Sequence, residues 1–316
     1  MADIESAVRT ALVDCMEIKR GEDVLVVTDP VKRTIAEAIV ATARELGAEV
    51  VLMEMSERES HGSEPPRSVA AAMLECDAIL APTSKSLSHT EARKAASDNG
   101  ARVATMPDIT EEMLVRTMSA DYAAVKQRSD AVAKLLTDGK EVRISSPQGT
   151  DVAFSIDGRK GLSDDGRIAR PGSFGNLPAG EGFIAPVEGL TNGRLVFDGS
   201  VWPIGRLETP LTVDVVDGYA TSFSGPAGEQ FRSMLDKHGP EAFAVAELGI
   251  GTNEAATLTG NVLEDEKIIG TIHVAFGDNH SFGGTIRVSS HQDGVVLQPT
   301  ADVDGTRLLE DGKLLV

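Results

Sequence analysis

The chain predicts two domains of different class: an α/β domain with a parallel sheet over residues 1–139, and a mainly antiparallel, β-rich (α+β) domain over 140–316. Three observations carry this expectation. Before residue 139, short apolar runs alternate with amphipathic stretches, the order that builds right-handed crossovers and a parallel sheet. After it, β-branched residues, glycines and Asp-Gly pairs take over, as in sheets joined by tight turns. At 316 residues the chain also exceeds what one compact core usually organises.

Residues 3–17 have the apolar spacing of a short helix, and Gly21 then precedes EDVLVVTDP, where Val24 to Val27 form a continuous apolar run closed by Asp29-Pro30. Such a run reads as a strand buried on both faces. TIAEAIVATARELG is amphipathic and stops at Gly47, and AEVVLMEM supplies a second buried strand. The alternation repeats, with RSVAAAMLEC helical, DAILAPT extended, HTEARKAASDNG helical and ARVATMP extended. Helices over roughly 110–137 follow, and Asp138-Gly139-Lys140 breaks the pattern. Ligands of open parallel sheets sit beyond the carboxyl ends of the strands. The loop at 82–90, PTSKSLSHT, lies there and carries Lys85 and His89 among several hydroxyls, which makes these two the candidate substrate-binding residues. A helix N-terminus beside a lysine can hold a carboxylate, although Ser88 or Thr90 could equally cap the helix. No G-x-G-x-x-G follows the first strand and there is no P-loop, which argues against a nucleotide site.

In the second half EVRISS, DVAFSID, RLVFDGSVWPIG and LTVDVVDGYATSFSG read as strands, interrupted by one helix at AGEQFRSMLDKHG. AFAVAELGIGTN, KIIGTIHVAFG and GTIRVSSHQDGVVLQ follow, with a terminal pair of turns at Asp304-Gly305 and Asp311-Gly312. Glu264, Asp265 and Glu266 read as a solvated turn ahead of the KIIGTIHVAFG strand.

The net charge of −19 argues against nucleic acid and anionic membranes as partners, because phosphates would be repelled. A small molecule or peptide is the expected partner. The first twenty residues carry acids and no apolar core of a signal peptide, and no apolar run is long enough to span a bilayer. Cys15 and Cys76 stand outside any C-x-x-C pattern, so the expectation is a reduced, cytoplasmic protein.

Three of the six histidines, His273, His280 and His291, fall in TIHVAFGDNHSFGGTIRVSSHQD at 271–293. In an extended strand His291 and Asp293 share a face, so an imidazole and a carboxylate converge, which is a metal-ligand geometry. Two acids join them as candidates. Glu247 sits among small and apolar residues in VAELGIG, where a buried carboxylate needs a cation. Glu181 lies between Gly180 and Gly182, which leave it unobstructed.

These segments resemble the aminopeptidase T-like metallopeptidases over most of the chain. NLPAGEGFIAP, AELGIG, HVAFG and SSHQD are similar to four motifs of that family and occur in its order. The resemblance implies metal ligands at Glu181, Glu247, His273, His291 and Asp293, holding two divalent ions (zinc, cobalt or manganese), and a homodimer. Where the family has a catalytic tyrosine this chain has His280, and the interval from His273 to His291 is shorter than in the peptidases. A related branch of the family, the 2,5-dihydroxypyridine 5,6-dioxygenases, holds one Fe(II) on two histidines and an aspartate, a set that His273, His291 and Asp293 would supply.

The expected chemistry is metal-assisted hydrolysis of a small peptide or amide, with Glu247 bridging two ions and His280 as oxyanion donor or proton shuttle. A one-iron dioxygenase opening a hydroxypyridine-like ring is the alternative, and a non-catalytic small-molecule binder the second. Substrate is expected at the interface between the two domains.

Overall fold

The computed structural model describes residues 2–316, with side chains from Ile4 onward. Chain contacts divide it into two compact units. One contains the chain up to Tyr122 together with Gly166–Ala179; the other contains Ala123–Asp165 and Gly180–Val316. The expected cut at 139/140 falls inside the second unit, because the helix Tyr122–Asp138 runs almost wholly in it and a later segment returns to the first.

The first unit is α/β. Its sheet has five strands in the order Glu49–Glu54, Asp23–Thr28, Ala78–Thr83, Arg102–Pro107 and Phe174–Asn176, all paired in parallel. Val24 to Val27 are buried, as their unbroken apolar run requires, and Leu25, Ile79 and Val103 pack with Val69 and Met73 of the helix Arg67–Met73. The second strand departs from expectation. It lies at the sheet edge, and Val51 and Leu52 are exposed despite their apolar character. At the carboxyl ends, the buried Asp29 carboxylate accepts the Ser84 backbone N–H and hydroxyl, both at 2.6 Å, which ties two neighbouring strands together. Thr90 caps the helix Glu91–Asp98 by accepting from the Arg93 N–H, the structural alternative at that position.

The second unit is mainly antiparallel. An eight-stranded sheet and a seven-stranded sheet share one apolar core, to which Phe154 and Leu195 contribute from the first, Val274 and Phe276 from the second, and Phe231 from the helix Gly228–Asp236. The seven-stranded sheet runs Gly205–Arg206, Ser200–Val201, His291–Val296, Ile272–Gly277, Val245–Gly251, Glu181–Ile184 and Leu162–Asp164. Among the described residues no helix is long and apolar enough to cross a membrane.

Phe276 meets Phe197 and Phe231 edge-on, with ring centroids 6.4 and 6.0 Å away. Replacing it with alanine removes a fully buried ring from the shared core, and a loss of about 3–5 kcal/mol is expected in denaturant unfolding.

Candidate metal centre

Side chains of residues paired directly across antiparallel strands lie on the same face of the sheet. In the seven-stranded sheet Asp164 pairs with Glu181, Glu181 with Gly251, Gly249 with His273, Glu247 with Ala275, Ala275 with Asp293, and Gly277 with His291. One face therefore carries three carboxylates and two imidazoles from the four central strands, with a fourth carboxylate, Asp164, at the edge. The opposite face carries Leu248, Ile250, Val274 and Phe276 into the core. The small residues make the room. A Cβ on Gly249 would stand 2.0 Å from the His273 Nε2, so the glycine opposite this histidine is what admits its ring.

The expected donors converge. His273 Nε2 lies 3.0 Å from Glu181 Oε2 and 3.4 Å from Glu247 Oε1; His291 Nε2 lies 3.3 Å from Glu247 Oε2 and 3.6 Å from Asp293 Oδ1. Glu181, Glu247 and His273 each bring a donor atom within 4.8 Å of the others, a spacing that suits a shared cation, and His291 and Asp293 stand at the other oxygen of Glu247. The tautomer points the same way. His291 Nδ1 donates to the Asp278 carbonyl at 2.8 Å, which leaves Nε2 as a lone pair aimed at two carboxylates. That arrangement is repulsive unless a proton or a metal stands between. Glu181 Oε2 and Asp293 Oδ1 are buried oxygens that face ring nitrogens, His273 Nε2 at 3.0 Å and His291 Nε2 at 3.6 Å, so each requires a proton or a cation at that position. The nitrogen and oxygen donors fit a divalent first-row ion.

Without a metal, protons do the neutralising. Burial opposes charging of His273, but Glu181 and Glu247 outweigh it and hold the imidazole well above its ordinary value of 6.5. Asp293 and Glu247 do the same for His291. Against burial, the two imidazoles bring the Glu247 carboxyl down to about 2. Beside these groups Lys267, fully buried, places its Nζ 2.6 Å from Glu181 Oε1, 2.6 Å from Glu266 Oε1 and 3.6 Å from Asp164 Oδ2, and despite burial the carboxylates hold it charged. Burial pushes Glu266 up to about 8 and Asp164 to about 7 against the pull of Lys267. Glu181, Glu247 and Asp293 thus favour the ionised form and face Lys267 and two imidazoles that favour the protonated form. One divalent ion carries the same charge as the two imidazolium protons it would displace.

A family model described as NicX, 2,5-dihydroxypyridine 5,6-dioxygenase, matches residues 3–316. The chain belongs to the NicX family. Among solved structures the fold is similar to 2,5-dihydroxypyridine dioxygenase from Pseudomonas putida KT2440, with a TM-score of 0.86 and 17% identity over 99% of this chain and 97% of that one. It is also similar to wild-type AmpT from Thermus thermophilus, with a TM-score of 0.72 and 18% identity over 99% of both chains. At these identities the two likenesses concern the fold. No curated protein sequence matches the chain.

In this NicX-family chain, Glu181, Glu247 and His273 bring their donor atoms together, and His291 lies beside Glu247 and Asp293. His280 does not join them. It is half exposed on a short 3-10 turn, with Nδ1 2.8 Å from the Asp278 carboxylate. Lys85 and His89 belong to the first unit and the donor set to the second. The solvated turn expected at Glu264, Asp265 and Glu266 is overturned. Glu264 and Asp265 are fully buried and accept the backbone N–H groups of Thr257, Thr259 and Gly260, while Glu266 turns inward to Lys267. Lys267 and Asp164 were missed altogether. Lys267 opens an apolar run like any strand-flanking lysine, and only its place beside three acids in sequence, Glu264 to Glu266, hinted at a role.

Binding of one divalent ion to metal-free protein at neutral pH is expected to release about two protons. Calorimetry in buffers of different ionisation heat reads that number, and release of none would contradict the charged imidazoles. The raised imidazoles stabilise the metal-free fold fully below pH 6.5, and this contribution is lost as pH rises through their folded values. The raised carboxyls of Asp164 and Glu266 cost stability as pH rises from their ordinary values to about 7 and about 8. The Tm of metal-free protein is therefore expected to fall as pH rises from 6.5 to about 8, and that of metal-loaded protein to change less. Gly249→Ala, which crowds His273, is expected to weaken metal binding on the order of 10–100-fold while leaving far-UV circular dichroism unchanged.

Proposed function

We propose that this chain is a one-iron, ring-cleaving dioxygenase acting on a hydroxypyridine-like aromatic. The observation that carries the reading is the match of the NicX family model to residues 3–316, taken with two imidazoles and an aspartate on one face of the sheet. His273, His291 and Asp293 would hold that ion, two imidazoles and a carboxylate that suit Fe(II) and leave open positions, and bound there it would supply access to dioxygen and an anchor for substrate hydroxyl oxygens. Family membership agrees with this chemistry more directly than with hydrolysis.

The chain's own groups have defined tasks. Glu247 spans the two imidazoles, with one oxygen turned to each Nε2. The Asp278 carbonyl fixes the His291 tautomer. Phe282 stands edge-on to His291 with centroids 5.9 Å apart and to Phe183 with centroids 5.7 Å apart, and both phenyl rings are half-buried. By register Phe183 projects from the same sheet face as the donors, so these rings offer an apolar edge beside the site for a planar substrate. The two-ion hydrolase reading needs Glu181 as an uncommitted ligand and a donor in place of the family's tyrosine. In this chain Glu181 is bonded to Lys267, and His280 is bonded to Asp278.

Elemental analysis of anaerobically purified protein is expected to give about one iron per chain, with oxygen uptake on 2,5-dihydroxypyridine. His291→Ala should lower that turnover by at least about 100-fold. About two zinc, cobalt or manganese ions per chain, with dipeptide hydrolysis and no oxygen uptake, would overturn the reading.

A further inference from the structure

Glu181 has its two oxygens in different surroundings. Oε2 faces His273 within the donor set, and Oε1 takes the Lys267 ammonium at 2.6 Å. A carboxylate with a cationic position on each oxygen is the arrangement of a ligand that bridges two metal ions. The second position is already lined for an ion. Around the ammonium stand Glu181, Glu266 and Asp164, at 2.6, 2.6 and 3.6 Å, and Lys267 is wholly shielded from water. We propose that Lys267 stands where a second divalent cation would bind, and that removing its side chain opens an all-oxygen site for such an ion, lined by Asp164, Glu181 and Glu266.

The backbone around Lys267 is held independently of its charge. The Lys267 carbonyl accepts from the Asn253 N–H at 2.9 Å, its own N–H donates to the Glu264 carbonyl at 2.9 Å, and the Ile269 N–H donates to the Asn253 carbonyl at 3.1 Å. Gly251 lets this segment approach, since a Cβ there would lie 2.0 Å from the Ile268 carbonyl oxygen and 2.8 Å from the Lys267 carbonyl carbon. Truncation at 267 therefore removes the ammonium and leaves its carboxylate cage in place. Carboxylates so buried require either protons or a replacement cation, and an oxygen-only cage suits a hard one such as Mn2+. The inference deepens the one-ion reading and rests on it for what Lys267 accomplishes, namely limiting the neighbouring centre to a single ion.

The test uses full-length wild-type protein and Lys267→Ala, both stripped of metal, saturated with Mn2+ and freed of excess. Wild type is expected to retain about one ion per chain with an uncoupled Mn2+ spectrum in electron paramagnetic resonance; Lys267→Ala should retain one more and show the spin coupling of ions sharing a carboxylate. Lys267→Arg, which keeps the charge, should match wild type, and adding Glu266→Gln to Lys267→Ala should abolish the gain. A folded Lys267→Ala protein holding no more manganese than wild type overturns the inference. The wild-type number alone tests the one-ion reading and the increment alone tests Lys267, so either can fail separately. If Lys267→Ala does not fold without metal, it is refolded in millimolar Mn2+: recovery with the extra ion supports the inference, and no recovery counts against it, because the ion should replace the ammonium.

Discussion

Charge cancellation in a water-poor pocket is the constraint on which the second unit depends. Glu181, Glu247 and Asp293 are each less than one-tenth exposed, on a sheet whose other face builds the apolar core. Isolated, such carboxylates would cost far more than a domain's net stability, so each must meet a cation. Lys267 answers for one side of Glu181, and the imidazoles with their protons, or a divalent ion in place of those protons, answer for the rest. The metal centre is thus part of the fold's own electrostatics.

Glycine placement connects that electrostatics to the sequence. In AELGIG, Gly249 gives way to the His273 ring and Gly251 to the backbone that carries Lys267, while Glu247 on the same face supplies the carboxylate between the imidazoles. Leu248 and Ile250 alternate with them and point into the core. A six-residue stretch therefore sets the spacing of both cationic positions. A side chain larger than hydrogen at either glycine would move a charged group away from its partner.

Periodicity and buried carboxylates explain what was legible in the sequence. Val24 to Val27 announced a central strand, and AELGIG, HVAFG and SSHQD announced donors on strands, because alternation of small, apolar and polar residues reports which face is which. Exposure of the Glu49–Glu54 strand was not legible, since an apolar run does not say whether it has one neighbour or two. The return of Phe174–Asn176 to the first sheet was hidden as well, because three residues in a glycine-rich stretch carry no period. Glu264 to Glu266 misled for a related reason. A run of acids reads as solvated only when no buried lysine or unpaired backbone N–H is at hand, and both are supplied by residues whose proximity comes from the fold.

Two solved structures similar in fold carry different names, a dioxygenase and AmpT, so the fold by itself does not choose the chemistry. A physical property that can choose is the number of positive charges the pocket must receive. Three ionised carboxylates beside a fixed ammonium leave two negative charges, which one divalent ion cancels. Glu266 and Asp164, pushed up to about 8 and 7, sit where the balance can shift, since either can be held neutral by a proton or ionised against a metal. A buried lysine among these carboxylates thus has consequences beyond packing: it fixes one positive charge in place against Glu181 and Glu266.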